Sequence, residues 1–115
     1  MDKNLMDLNL AVLCGRLATA PELRVFDSGA RVMHFLVTVS TNHPRRRIDV
    51  VPVTLRDPSD DLVQAPPRQN SRVWVTGVVQ RRAMDGPNGR RSRIEVVADQ
   101  VAVLTCADET TLAVR

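Results

Sequence analysis

The 115 residues predict a small all-β domain, and three observations carry that prediction. Apolar and polar residues alternate at period two over several short stretches, the spacing of half-buried strands. Clusters of Gly, Pro, Asp and Asn separate these stretches and supply turn chemistry. Val is the commonest residue while Glu and Lys, frequent in helical proteins, are scarce, within an ordinary globular share of 43% apolar and 25% charged residues. The length suits one domain with a single modest core.

The elements follow in order. Leu8, Leu10, Val12 and Cys14 alternate with Asn9, Ala11 and Leu13 as a first strand, and Gly15 marks a bulge or bend. "APEL" and "DSG" are turn signals, with Pro21 fixing φ and Gly29 open to positive φ. In the second strand Met33, Phe35, Val37 and Val39 share the core face, opposite His34, Thr38 and Ser40. The polar connection "TNHPRRR" leads to a third strand over residues 48–55. Pro52 cannot donate to a ladder and puts an edge or bulge there.

"DPSDDLVQAPPRQN" opens as a helix, with Asp57 as N-cap and Pro58 in the first position. Pro66 and Pro67 stop it within about two turns. Val73, Val75, Gly77 and Val79 alternate with Arg72, Trp74, Thr76 and Val78 as a fourth strand. A turn at "MDGPNG" returns the chain through a fifth, from about Ser92 to Leu104. Five strands with a helical piece between the third and fourth describe a Greek-key barrel of the oligonucleotide-binding type. A five-stranded sandwich fits the periodicity almost as well.

Composition excludes several classes. No apolar run reaches the ~18 residues of a membrane helix, and no leader with a cleavage site opens the chain, so the expected address is the cytoplasm. Cys14 and Cys106 have no CxxC or Cys/His spacing; they read as reduced thiols, the alternative being a disulfide linking the termini. His34 and His43 lack partners at metal or triad spacing and read as polar strand and loop residues, so neither a metal, a cofactor nor catalysis is expected. Positive charge is concentrated: residues 41–56 hold four arginines against one aspartate, and residues 79–94 five against one. That pattern points to a polyanionic partner.

The order of motifs goes further than periodicity. Gly15-Arg16-Leu17, then Pro21-Glu22-Leu23-Arg24 with Ser28-Gly29, then Phe35, then Gly77, Gly89, Glu95, Val97, Ala98 and Asp99 together resemble the DNA-binding domain of bacterial single-stranded DNA-binding proteins, the SSB family. The resemblance covers residues 9–40, 49–53 and 70–104. It implies a five-stranded Greek-key OB-fold over residues 1–104, a dimer or dimer of dimers, and single-stranded DNA as partner without sequence preference. It also implies a place in replication, repair and recombination at the nucleoid, with other replication or repair proteins as further partners. RNA stays open, since phosphate contacts and stacking distinguish the sugar poorly. Residues 105–115 read as a short extension without the family's long acidic-tipped tail.

The resemblance also exposes departures. The loop over residues 42–48 is shorter than in typical members. The family's stacking aromatics fall near His43 and on Val50, Arg56 and Met84, in a chain with one Trp, two Phe and no Tyr. Each lost stack removes about 1–3 kcal/mol. His43 and Arg56 can still lie flat on a base, whereas Val50 and Met84 offer apolar contact alone. Arginine is therefore expected to carry the binding: Arg45, Arg46 and Arg47 in one loop, and Arg81, Arg82, Arg90, Arg91 and Arg93 around one hairpin. Their forks match phosphate bidentately. Phe35 belongs to the core, Phe26 is a loop plug or a base platform, and Trp74 faces either a subunit partner or the DNA path. The competing reading is an OB-fold interaction module with weak or no DNA binding, similar to small aromatic-poor proteins such as primosomal replication protein N.

Overall fold

The computed structural model describes residues 5–104 and 111–113. Among the described residues the strands are β1 (Ala11–Leu17), β2 (Glu22–Val25), β3 (Arg31–Thr41), β4 (Arg47–Arg56), β5 (Arg72–Gly86), β6 (Gly89–Leu104) and β7 (Thr111–Ala113), with one helix, α1 (Asp60–Gln64). Hydrogen bonding runs β1–β5–β6–β4–β3 and returns from β3 to β1, which closes a five-stranded barrel. β4 and β6 are parallel, with Val53 opposite Val96; the other pairs are antiparallel, as a Greek key requires. β2 extends the sheet beyond β3, and β7 lies against β6. The OB-fold expectation thus holds.

Strand alternation fills the barrel. Leu17, Met33, Phe35, Val37, Val53, Leu55, Val73, Val75, Val96, Ala98 and Val101 are buried together. Each fully buried Val, Leu or Phe contributes on the order of 1.5–3 kcal/mol. Helix α1 delivers Leu62 into the same cluster.

Three local expectations change. β1 begins at Ala11, because the Asn9 side chain takes both the N–H and the carbonyl of Val79 (2.8 and 2.7 Å) that a longer strand would pair. Its core residues are then Ala11, Leu13 and Leu17, leaving Leu8, Leu10 and Val12 exposed. The helix N-cap is Ser59, not Asp57: Ser59 Oγ accepts from the Leu62 N–H at 3.2 Å. Asp57 instead turns the chain at φ 53°, its N–H donating to the Arg31 carbonyl. The "ELRV" run between the two turn signals pairs with β3 as a strand, Leu23 opposite Met33.

Pro52 sits where β4 has a neighbour on one side only, since pairing with β6 covers Val53 to Leu55. No ladder donor is lost there. Of residues 105–115, the backbone of β7 alone is described, so Cys106 and any link from it to Cys14 lie outside the described residues. No described helix is long and apolar enough to cross a membrane.

Two glycines allow the barrel to close. A Cβ on Gly15 would run into the Thr38 carbonyl, and one on Gly77 into the Val97 carbonyl and the Ala98 Cα. Gly77 also marks a register shift, with Thr76 opposite Gln100 but Gly77 opposite Ala98, so Asp99 is the extra residue of a β-bulge. Replacing Gly77 with Ala pushes two backbones apart and is expected to lower stability by about 1–3 kcal/mol. A lower urea midpoint at unchanged slope is the expected observation; an unchanged midpoint would show that β5 and β6 can separate freely at this point.

Candidate nucleic-acid interface

Because β3 and β4 turn one face inward, their other face forms an outward row of cross-strand pairs: Val32 with Arg56, His34 with Thr54, Leu36 with Pro52, Thr38 with Val50 and Ser40 with Ile48. β2 widens this face by placing Glu22 opposite His34 and Arg24 opposite Val32. The row runs on into the exposed connection of residues 42–46, which holds His43, Arg45 and Arg46. From Thr54 to Ile48 the path is about 20 Å at ~3.3 Å per residue.

The β5–β6 hairpin forms the opposite wall. It runs past the barrel to a turn at Pro87 and Asn88, with Gly89 at φ 104°. The predicted six-residue turn is therefore mostly strand. Pairing sorts the arginines: Arg82 opposite Arg93 and Met84 opposite Arg91 share one face, whereas Arg81 opposite Ile94 and Asp85 opposite Arg90 share the other. Between hairpin and sheet lies a groove of about 490 Å³, lined by Arg24, His34, Leu36, Pro52, Arg82, Met84 and Arg93 among others.

A chain of polar groups forms the groove floor. The buried Glu95 carboxylate accepts from Thr54 Oγ1 at 3.2 Å, and Thr54 Oγ1 lies 3.3 Å from His34 Nδ1. Arg82 reaches Glu95 at 3.6 Å, so a carboxylate that would be costly to bury alone is compensated at the groove wall. Burial first, and then the Arg82 guanidinium, hold the His34 imidazole below its ordinary value of 6.5; Arg24 pushes the same way, and Glu95 and Glu22 pull back.

The expected site residues are thus distributed unevenly. Arg82, Met84 and Arg93 meet in the groove, and Arg91 adjoins Met84 in a second depression nearer the hairpin tip. Arg56 continues the outward row on β4, next to Val32. Arg47 opens β4 and is held by Asp49 at 2.9 Å, and Arg90 lies 3.9 Å from Asp85. Trp74 is roughly 26 Å along β5 from Arg82, half-exposed between Cys14 on β1 and Ala102 on β6. Sequence reasoning missed Arg24, His34, Leu36, Pro52 and the Glu95–Thr54 pair. Their outward parity on strands β3 and β4 was visible, but which neighbouring element rises over that face was not.

A family model described as the single-strand binding protein family matches residues 8–104. The chain belongs to this family. A single-stranded DNA-binding protein of Oceanobacillus iheyensis is 34% identical over 103 residues, which cover 84% of this chain and 63% of that protein. Single-stranded DNA-binding protein 2 of Staphylococcus aureus is 36% identical over 102 residues, covering 84% and 73%. The chain thus spans less than two thirds of the first relative's length. The Plasmodium falciparum SSB in complex with ssDNA superposes with a TM-score of 0.74 over 89% of this chain and 99% of that one; at 20% identity the likeness is one of fold. Within this SSB-family fold the groove has an acidic floor and basic walls.

The depressed His34 has a consequence for stability. The unfolded chain takes up its proton first, so the contribution is complete above pH 6.5 and is lost as pH falls from 6.5 through the folded value. Urea midpoints measured between about pH 7 and pH 5 should fall on the acid side, and His34→Gln should flatten that limb. Parallel curves for the two proteins would assign the acid limb to other groups.

Proposed function

We propose that this SSB-family chain binds single-stranded DNA, without sequence preference overall, along the groove and the outward row of β3 and β4. The observation that carries the reading is the meeting of three guanidinium groups, Arg24, Arg82 and Arg93, with the apolar Leu36, Pro52 and Met84 in one groove. Guanidinium forks take phosphates, while Val50, Ile48 and Leu36, all partly exposed, offer apolar contact to bases in place of rings. Among the described residues no carboxylate lies within ion-pair distance of Arg45, Arg46, Arg91 or Arg93. His43, Arg47, Arg56, Arg81 and Arg90 extend the basic margin beyond the groove. The protein acts by binding, not catalysis, in DNA replication, repair and recombination.

The same reading includes a homo-oligomer, a dimer or dimer of dimers. β1 pairs with β3 through Arg16 and Leu17 alone, which leaves the edge from Ala11 to Gly15 open on that side. Val12 is exposed along it, and Leu8 and Leu10 are exposed in the segment just before it. Such an edge invites pairing with a second chain. Trp74, beside Cys14 on the outward face of β1 and β5, fits this assembly surface.

Binding carried by arginine should be salt-sensitive, because each neutralised phosphate releases counterions with a slope of about −0.7 on logarithmic axes for single strands. Titration of a fluorescent oligo-dT should show affinity falling by about two orders of magnitude between roughly 0.05 and 0.3 M salt for four such contacts. The double variant Arg82→Ala/Arg93→Ala should bind less tightly with a shallower slope, and Met84→Trp should gain about ten-fold from a restored stack. Tight binding that persists at high salt would refute the arginine account. No binding at low salt would favour the protein-interaction reading.

A further inference from the structure

His34 stands in a hydrogen-bond chain whose direction is determined. Glu95 accepts the proton of Thr54 Oγ1. That hydroxyl has no second proton, so toward His34 Nδ1, 3.3 Å away, it can act only as an acceptor. The opposite orientation would set the hydroxyl lone pairs against the carboxylate. Nδ1 therefore carries the ring proton and donates to Thr54. Nε2 is left as a bare acceptor on a ring that lines the groove.

An acceptor is a poor partner for phosphate, whose oxygens also accept. It suits a ligand N–H. The groups around the ring are Glu22 and Arg24 on β2, Thr54 on β4, Arg82 on β5, and Glu95 and Arg93 on β6. The ring thus presents an acceptor in a groove whose walls are rich in guanidinium donors. Thymine carries the complementary edge, a ring N–H between two carbonyl acceptors. Guanine matches in part, with an added amino donor. Adenine and cytosine have no ring N–H on that edge.

We propose that His34 reads one base in the groove, accepting the N3–H of a thymine at Nε2 while the neighbouring guanidinium groups serve its carbonyl oxygens. This rests on the reading that single-stranded DNA occupies the groove. The Thr54 and Glu95 side chains are positioning residues: they hold the tautomer that makes Nε2 an acceptor. Protonation at Nε2 converts the acceptor into a cationic donor, so acid exchanges thymine reading for phosphate attraction. Burial and Arg82 keep the ring neutral near pH 7.

The test compares a short oligo-dT with the same oligomer built from 3-methylthymidine, which keeps the ring and its weak stacking but lacks the N–H. Near neutral pH and low salt the wild-type protein should bind the methylated strand about five- to ten-fold more weakly, the loss of one hydrogen bond. His34→Ala should shrink that penalty toward unity, the coupling expected of a direct contact. His34→Gln, which retains an acceptor oxygen, should restore part of it. As pH falls through the ring's lowered value the wild-type penalty should shrink while affinity for both strands rises. A penalty of equal size in wild type and His34→Ala, or none in wild type, overturns this assignment and leaves DNA binding intact. Absence of any oligo-dT binding overturns the parent reading and this one together.

Discussion

Barrel closure depends on two close backbone approaches, where β1 passes over Thr38 at Gly15 and β5 passes over Val97 and Ala98 at Gly77. Neither position has room for a Cβ, so the sheet can coil tightly only with glycine at both. The bulge at Asp99 belongs to the same device. It adds one residue to β6 opposite Gly77 and increases the local twist. Thr76 Oγ1 donates to Asp99 at 2.7 Å across that irregularity. From there the β5–β6 hairpin leaves the barrel and continues as a ribbon. The groove is the space between this ribbon and the face of β3 and β4, so its existence follows from closure.

Electrostatics then divides the arginines by role. Arg82 is tied to the buried Glu95 and has part of its charge offset, whereas Arg93, its cross-strand neighbour, has no such partner among the described residues. Arg31 is spent on Pro58 and Asp60, securing the turn into α1. Positive charge along the chain is therefore an upper bound on positive charge available to a ligand. The buried carboxylate also orders Thr54 and His34, so a group of the same sign as DNA organises one part of a groove that is otherwise basic. Its cost is limited because it accepts one hydrogen bond and one ion pair.

Much of this was legible in the alternation of single strands. On β3, Met33, Phe35 and Val37 form an unbroken apolar run of one parity, whereas the other parity mixes Val32 and Leu36 with His34 and Thr38, and the unbroken run is the one buried. On β5, Val73 and Val75 behaved likewise, with Trp74 outward. β1 was ambiguous because both parities are apolar there; Asn9 resolved it by spending its side chain on Val79. The helix cap moved from Asp57 to Ser59 because the end of β4 needed a left-handed turn, a demand set by the Arg31 carbonyl rather than by helix chemistry. His34 looked like a bland polar strand residue, since its Thr54, Glu95 and Arg82 neighbours come from three other strands.

The sequence by itself determined the strand count of the barrel, its core faces on β3 and β5, the two glycines and the two basic segments. Each of these is written in local chemistry: period two, missing Cβ atoms, or runs of like charge. Tertiary structure alone decided which arginines share a face, which are neutralised, and that Glu95, Thr54 and His34 form one chain. The reason is register. Pairing between strands distant in sequence places Thr54 beside Val97, and the register of the hairpin places Arg82 opposite Arg93; a shift of one residue in either pair would send the same side chains to the other face.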